Sequence, residues 1–484
     1  MAIVASTRAG AGGGGSRIRL SSTLLLGILL AVISTLGLLT RSVVIIGDAH
    51  SHSGGASSLR TAPAHAAKTT AAKATATTTN AHQQVADEKD QTKGVKREEI
   101  HAKREKITGG ETNTDATKRK SFPKPSDLAG PNAQVILQPT HGKHNPASDA
   151  VFAFAEGYQL HTYVGFVESL KATNYEGDVV LSVSHRSKLS TGVEDYLSAN
   201  HGNVNLIYYA IDWTCWKKNG DRISNTNGGM SDCQARGLYG DEHGTALKDP
   251  REARPVATAR YELYWIWSLQ YEPYRRILLI DVRDTYFQRG PFDDLPVTQE
   301  DDNGNSANDD GGVLRLYEEN ASPSSAAASI GKSSYNSQWI SAAYGKQVLD
   351  QMRDKPVICS GSTIGDALAI EAYLRAMVAQ FDSTRCKKKG CDQGMHQVLY
   401  YGNHLNGVQD IREIIVSKQG EGEVNNLAAM RNSPLSEQGV LVNGNIVNWG
   451  DRSISAVVHQ YDRDKETSKI IKERINKWVK AVKK

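Results

Sequence analysis

The sequence predicts an α/β fold, a mostly parallel sheet covered by helices, preceded by a transmembrane helix and a disordered stem. From about residue 150 onward, short apolar runs alternate with segments that carry apolar residues at helical spacing. A long apolar stretch lies near the N-terminus. A region poor in large apolar residues separates these two parts of the chain.

The N-terminal segment 20–46 is the predicted membrane anchor. No charged residue occurs between Leu20 and Thr40, and a helix needs about 20 apolar residues to cross the hydrocarbon core. Three arginines precede this stretch and one follows it closely, so the bias of basic residues predicts a cytosolic tail at 1–19 and a lumenal remainder. A cleaved signal peptide is the alternative, although its apolar region would be shorter.

Residues 47–146 are predicted to form a flexible, low-complexity stem. Small and polar residues dominate this region, and they bury too little apolar area to offset the entropy of the chain. The basic run Lys118-Arg119-Lys120 has the composition of a nucleic-acid contact. A lumenal address excludes nucleic acid as a partner, and the formal net charge of the chain is only +4.

All five cysteines fall in the predicted globular part, where a lumenal address permits disulfides. Their positions suggest two local pairs, Cys215 with Cys233 and Cys386 with Cys391, and leave Cys359 over. A structural zinc site is the alternative, but no spacing shows the paired CxxC pattern of such sites.

The predicted lumenal catalytic domain, residues 147–465, begins with alternating strands and helices. In chain order these are a strand at 151–155, a helix at 158–172, a strand at 179–183, a short helix near 192–198 and a strand at 205–209. A Gly-rich loop interrupts the alternation, which resumes with an aromatic helix and an apolar strand; the three segments are 217–240, 260–272 and 276–280. The acidic segment 300–312 is predicted to be a surface loop, and 466–484 a basic C-terminal helix or tail.

The strand at 276–280 ends in Asp281-Val282-Arg283-Asp284. Ligands of open α/β sheets gather beyond the carboxyl ends of strands, and two carboxylates there can hold a hard divalent cation that binds a diphosphate. Residues three apart on a strand face opposite ways, so both acids reach one ion only if the chain turns immediately after Asp281. Alternatively, the acids cap the turn or pair with Arg283 or Arg289.

Four motifs resemble GT-A-type nucleotide-diphosphosugar transferases, a Rossmann-related family with plant, algal and microbial members that carry Asp-x-Arg-Asp-x-x-Phe-Gln. They are the segment 276–295, the small-residue segment 357–365, the helix start Cys391-Asp392-Gln393-Gly394, and the closing motif Val458-His459-Gln460-Tyr461-Asp462-Arg463. The motifs occur in the family's order and cover about residues 150–463. The sequence departs from the family's usual Asp-x-Asp because position 283 is arginine.

The resemblance implies that Asp281 and Asp284, together with His459, bind a divalent cation, Mn²⁺ or Mg²⁺. The same two acids and Arg283 would contact the donor diphosphate. Arg260 is a further donor candidate, because a guanidinium suits phosphate geometry; an ion-paired arginine is the alternative.

On the acceptor side, the resemblance implies that Asp392 acts as general base for the attacking hydroxyl or anchors that hydroxyl. Its alternative role is a helix N-cap. Ser360, Gly361 and Gln393 are the other acceptor-side candidates.

The function predicted is a glycosyltransferase, hexosyl or pentosyl, that moves a sugar from a nucleoside diphosphate sugar to a hydroxyl of a glycan or glycoprotein. A single-pass type II protein of the Golgi or another secretory membrane is expected. One alternative is an inactive lumenal sugar-binding or scaffold protein with the same fold. Another is a phosphotransferase with an aspartyl nucleophile, but it needs an acid at position 283, which is arginine.

Overall fold

The computed structural model describes residues 120–217, 220–223, 231–296, 311–319, 329–430 and 433–484. The predicted tail at 1–19, the anchor at 20–46 and the stem up to residue 119 lie outside the described residues, as does most of the acidic segment 300–312. In the part of the chain that is described, no helix is both long and apolar enough to cross a membrane.

The described residues contain eight α-helices and eighteen β-strands. The helices are α1 (Leu160–Lys171), α2 (Val193–Leu197), α3 (Val256–Ser268), α4 (Ser334–Tyr344), α5 (Lys346–Gln351), α6 (Ala367–Thr384), α7 (Cys391–Tyr401) and α8 (Lys465–Val482). The strands are β1 (Gln134–Val135), β2 (Ala150–Phe154), β3 (Gly177–Ser184), β4 (Val204–Ile211), β5 (Trp213–Trp216), β6 (Arg222–Ile223), β7 (Asp232–Ala235), β8 (Tyr239–Gly240), β9 (Arg254–Pro255), β10 (Arg276–Asp281), β11 (Thr285–Phe287), β12 (Gly312–Glu318), β13 (Ile358–Asp366), β14 (Ile411–Ser417), β15 (Val424–Asn426), β16 (Leu441–Val442), β17 (Asn445–Ile446) and β18 (Val457–His459).

The central sheet has seven strands in the order β14-β12-β13-β10-β2-β3-β4. Strands β10, β2, β3 and β4 are parallel, β12 and β14 are parallel, and β13 runs antiparallel to both of its neighbours. This confirms the prediction of a mixed α/β fold with a mostly parallel sheet. The carboxyl ends of β10, β2, β3 and β4 therefore share one edge of the sheet.

Helices cover both faces of this sheet. Alternate residues of β2 point to opposite faces: Phe152 belongs to a cluster with α3 and α6 residues, and Val151 to a cluster with α1 residues. Trp265 and Trp267 of α3 are buried in the first cluster. They are core residues and do not form an exposed sugar platform.

The folded part begins earlier than residue 147, the predicted end of the stem. Strand β1 pairs with β8, and Phe122, Val135 and Leu137 pack against the core. These few apolar residues are spread among polar ones, so composition alone assigned them to the stem. Residues 120–146 belong structurally to the folded unit.

The described parts of the Gly-rich segment 217–240 include strands, where a loop was predicted. A four-stranded antiparallel sheet in the order β6-β5-β7-β9 includes parts of it, and Cys215 on β5 forms a disulfide with its cross-strand partner Cys233 on β7. Cys386 forms a disulfide with Cys391, and Cys359 is free and buried. Both predicted pairs are confirmed.

A small sheet places the C-terminal motif beside the end of β10. Its order is β11-β18-β15, and the antiparallel register sets Thr285 opposite His459. Helix α8, the predicted basic C-terminal helix, packs on α1 through Ile475, which lies against Gly165.

Candidate functional site

Asp281, Asp284 and His459 converge at the carboxyl edge of the sheet. Each offers one ligand atom, and these atoms all lie within 4.8 Å of one another. The chain turns at 283–284, directly after β10, and the Thr285 hydroxyl donates to the Asp281 carbonyl at 2.6 Å. The turn that the acidic pair requires is therefore present.

The imidazole of His459 presents an unpartnered nitrogen to the two acids. Its Nε2 lies 3.9 Å from Asp281 Oδ2 and 3.8 Å from Asp284 Oδ1, and it has no hydrogen-bond partner among the described residues. The residue is 1% exposed. A buried polar atom without a partner is costly, so this nitrogen is available to a ligand.

Asn426 determines which ring nitrogen of His459 stays free. Its amide Nδ2 donates to the Glu318 carbonyl at 3.2 Å, which leaves Oδ1 as an acceptor. This oxygen lies 2.8 Å from His459 Nδ1, so Nδ1 carries the proton. The lone pair then lies on Nε2, the arrangement of a metal-ligating histidine.

Gly361 leaves room between the acids and the imidazole. A Cβ at this position would lie 2.9 Å from His459 Cε1 and 3.0 Å from Asp281 Oδ2. The resemblance placed Gly361 on the acceptor side, whereas the structure places its Cα against the Asp-Asp-His group. No motif spacing revealed this close approach, because it joins residues from separate strands.

These residues fit a divalent cation. Carboxylate oxygens suit Mg²⁺ and Mn²⁺, and an imidazole with a free lone pair suits transition metals. The unpartnered Nε2 and the space beside Gly361 both favour a ligand between the three side chains. The Asp281, Asp284 and His459 group could thus bind a metal ion.

Two arginines neutralise the acids. Arg260, which is buried, forms an ion pair with Asp281 and another with Asp392 at 3.2 Å. Arg283, whose side chain is 49% exposed, donates to Asp284 at 2.7 Å. The ion pairs that were the alternative roles of Arg260 and Arg283 are therefore present. Arg260 also links Asp281 to Asp392.

Opposing influences set the pKa values of Asp281, which is half-buried, and Asp392, which is buried. Burial raises the pKa of Asp281, but the positive charge of the Arg260 guanidinium acts in the opposite direction, and the pKa lies below its usual value. Burial raises the pKa of Asp392, and the attraction of Arg260 offsets this only in part. Asp281 is therefore ionised at neutral pH, as a metal ligand must be.

Asp392 lies in the first turn of α7, but it is not the N-cap, which is Gly390. Its Oδ2 accepts a hydrogen bond from the Ser360 hydroxyl at 3.3 Å as well as the one from Arg260. The cap interpretation is wrong because the helix begins at Cys391, so Asp392 lies inside the helix. The carboxylate faces β13 and Arg260 instead.

Gln393 joins α7 to β13. Its Oε1 accepts from the Ser360 amide and its Nε2 donates to the Ile358 carbonyl, both at 2.7 Å. The oxygen and the nitrogen of this side-chain amide thus both bond to the backbone of β13. Gln393 thereby positions Ser360 and Asp392.

The sequence analysis missed Glu156, a carboxyl group just beyond β2 at the same edge of the sheet. It is 4% exposed, and the Trp213 indole donates to it at 2.7 Å. Burial, opposed by this hydrogen bond, raises the pKa of Glu156 to about 7. Glu156 follows an apolar run, as Asp281 does, and this position could have identified it from the sequence.

No protein-family model matches the sequence, and no curated protein matches it. The solved structures it matches include the galactosyltransferase LgtC in complex with donor and acceptor sugar analogs, 10% identical, with 69% of this chain and 95% of that chain covered and a TM-score of 0.34. An active-site mutant of LgtC is 11% identical over 69% and 95% of the two chains, with a TM-score of 0.34. The apo bifunctional glycosyltransferase WbbM is 12% identical over 71% and 53%, with a TM-score of 0.36.

The sequence identities and TM-scores of these matches are too low to define the class of this protein. The fold and the site define it instead. The chain is an α/β protein with a mostly parallel seven-stranded sheet. At the carboxyl edge of that sheet it carries a candidate Asp-Asp-His metal group.

Proposed function

We propose that this chain is a divalent-cation-dependent glycosyltransferase, which moves a sugar from a nucleoside diphosphate sugar to a hydroxyl of a glycan or glycoprotein. The observation that carries the proposal is the convergence of Asp281, Asp284 and the unpartnered Nε2 of His459 beyond the end of β10. Oxygen and imidazole ligands at this edge suit a cation, Mn²⁺ or Mg²⁺, that binds a diphosphate.

Asp281, Asp284 and His459 would hold the cation. When bound, it supplies positive charge that stabilises the departing diphosphate. Arg283 supports the same role, because its half-exposed guanidinium lies at the site and can exchange Asp284 for a phosphate.

On the acceptor side, Asp392 accepts the proton of the attacking hydroxyl or anchors that hydroxyl. Arg260 forms an ion pair with Asp392 and opposes the rise in its pKa that burial causes, and the Ser360 hydroxyl donates to the same carboxylate oxygen. Gln393 positions this pair through the backbone of β13, while Gly361 keeps the space beside Asp281 open.

An inactive sugar-binding or scaffold protein is the second candidate. It is favoured by one observation: each acid already has a guanidinium partner, Arg260 on Asp281 and Arg283 on Asp284. A cation must compete with these ion pairs.

The proposal includes a secretory-membrane address, with the Golgi as the expected site and residues 20–46 as a type II anchor. The positive-inside distribution of the arginines supports this orientation. Protease protection of the C-terminal part in sealed vesicles tests it, and digestion without detergent would contradict it.

The test of function is a panel of nucleoside diphosphate sugars incubated with the full chain, with and without Mn²⁺. Mn²⁺-dependent donor binding and release of nucleoside diphosphate are expected, both lost in Asp281→Asn. Asp294→Asn, which removes an acid paired with Arg289 on the surface, is the matched control. Donor binding without turnover for every acceptor tried would favour the sugar-binding protein, and no donor binding would favour the scaffold.

A further inference from the structure

Helix α8 and the residue after it carry five lysines on one face. Six residues define this lysine stripe, five lysines and the asparagine that interrupts them: Lys465, Lys469, Lys472, Asn476, Lys480 and Lys483. Successive members are three or four residues apart, so each falls on the same side of a helix with 3.6 residues per turn. All six are exposed.

A different face of α8, which is buried, fixes the orientation of the helix. Ile471 and Ile475 are buried, and a Cβ at Gly165 of α1 would lie 2.7 Å from Ile475 Cδ1. Trp478 and Val479 pack against the same interior. The lysine stripe therefore faces solvent, and none of its lysines forms an ion pair with a described carboxylate.

The stripe leads to a cavity that shares one residue, Arg283, with the candidate site. Lys472 and Asn476 line a cavity of about 230 Å³ between α1, α8 and the turn after β10, and Arg283 and Thr285 line its other side. These two residues flank Asp284. One carboxylate, Asp462, also lines the cavity, but it contacts Arg463 at 3.2 Å and Arg283 at 3.6 Å.

We propose that the lysine stripe binds an acidic glycan, whose carboxylate or sulfate groups contact the lysines while one end enters the cavity beside Asp284. The inference rests on the proposed function, because it names the class of acceptor. A row of unpaired positive charge complements a chain of regularly spaced negative charge, and the cavity at the end of the row is lined by Arg283, which also belongs to the candidate site.

An anionic membrane is the less favoured partner. Helices that lie in a membrane surface insert large apolar side chains, whereas the apolar face of α8 is buried in the protein. Val482 is the exposed large hydrophobic residue of α8. The lysine stripe offers charge and hydrogen bonds but no apolar residue to insert.

The test is binding of the full chain to heparin, a sulfated glycan, and to polygalacturonate, a carboxylated one, with neutral dextran and phosphatidylserine vesicles as the other arms. Lys469→Gln/Lys472→Gln should weaken binding of an acidic glycan about threefold to tenfold, since each exposed charge contact contributes little. Asn476→Lys completes the stripe and should tighten binding. The heparin and polygalacturonate arms show which acidic group is preferred.

Lys477→Gln is the matched control, because it removes one exposed charge from the same helix outside the stripe. The proposal is overturned if Lys477→Gln weakens binding as much as Lys469→Gln/Lys472→Gln does, if only the vesicles bind, or if neither acidic glycan binds. Donor binding is measured on the same samples. If the original chain binds a donor but neither acidic glycan, the stripe alone is refuted; if it binds an acidic glycan but no donor, the proposed function alone is refuted.

Discussion

At His459, a neighbouring amide determines which nitrogen can bind a metal. The Asn426 Oδ1 accepts a hydrogen bond from the Nδ1–H of His459, and the Glu318 carbonyl holds the amide in the orientation that makes this possible. The Ser362 hydroxyl lies 3.1 Å from the same oxygen. Asn426 is therefore a positioning residue that acts through His459.

Replacing Asn426 by Ala should weaken Mn²⁺ binding about 10- to 100-fold, the usual effect of removing the hydrogen-bond partner of a ligating histidine. The Mn²⁺ affinity is measured by electron paramagnetic resonance of the free ion. Asn425→Ala is the control, because that neighbouring amide is equally buried but bonds to the Ser455 hydroxyl. Equal affinities in the two variants would show that Asn426 does not position the histidine.

Glu156 makes stability depend on pH with an unusual sign. Its folded pKa is about 7 and its ordinary value is 4.5, so between these values the folded state holds a proton that the unfolded state has lost. Stability therefore falls as pH rises from about 4.5 to 7, by about 3 kcal/mol for this group. Above pH 7 both states are ionised and the contribution no longer changes.

Glu156→Gln removes this titration and keeps an oxygen to accept the Trp213 hydrogen bond. The difference in unfolding free energy between the original chain and the variant should shift steadily in favour of the variant from pH 4.5 to 7. Urea unfolding at several pH values measures it. Parallel pH curves for the two proteins would mean that Glu156 titrates normally.

Among the elements, buried parallel strands were the most predictable. β2, β3, β4 and β10 appear as apolar runs because both of their faces are covered. β13 was recognised only through resemblance, since its Gly and Ser residues lack strand propensity. Its antiparallel direction depends on distant partners that no local pattern encodes.

Short strands held by tertiary contacts were not predictable. β6 has two residues and pairs with β5 beside the Cys215–Cys233 disulfide. β1 likewise has two residues and pairs with β8. Such pairs carry no periodicity of their own, so 217–240 and 120–146 were assigned to a loop and a stem.

The attachment of α7 to β13 can be tested at Gln393. Gln393→Ala removes hydrogen bonds to the backbone at both ends of the amide, and should lower the unfolding free energy by about 1–3 kcal/mol because buried partners are left unpaired. Chemical denaturation measures the loss. Unchanged stability together with a raised KM for the acceptor would instead identify Gln393 as an acceptor contact.

For the whole molecule, the sequence indicated candidate site residues but not their arrangement. Asp281 and Asp284 are close in sequence, whereas His459 reaches them only because β18 pairs with β11. The order of motifs indicated a common site. Arg260 as a bridge between Asp281 and Asp392 could not be derived, because it depends on how α3 packs beneath the edge of the sheet.

The most direct test is the thermodynamic coupling between Mn²⁺ and a nucleoside diphosphate sugar on the full chain. If the Asp281, Asp284 and His459 group holds the ion that binds the donor, each ligand must raise the affinity of the other by the same factor. Such coupling is expected in the original chain and in Asp294→Asn, and it should be lost in Asp284→Asn. Donor binding that is indifferent to Mn²⁺, or coupling that survives Asp284→Asn, would contradict this expectation.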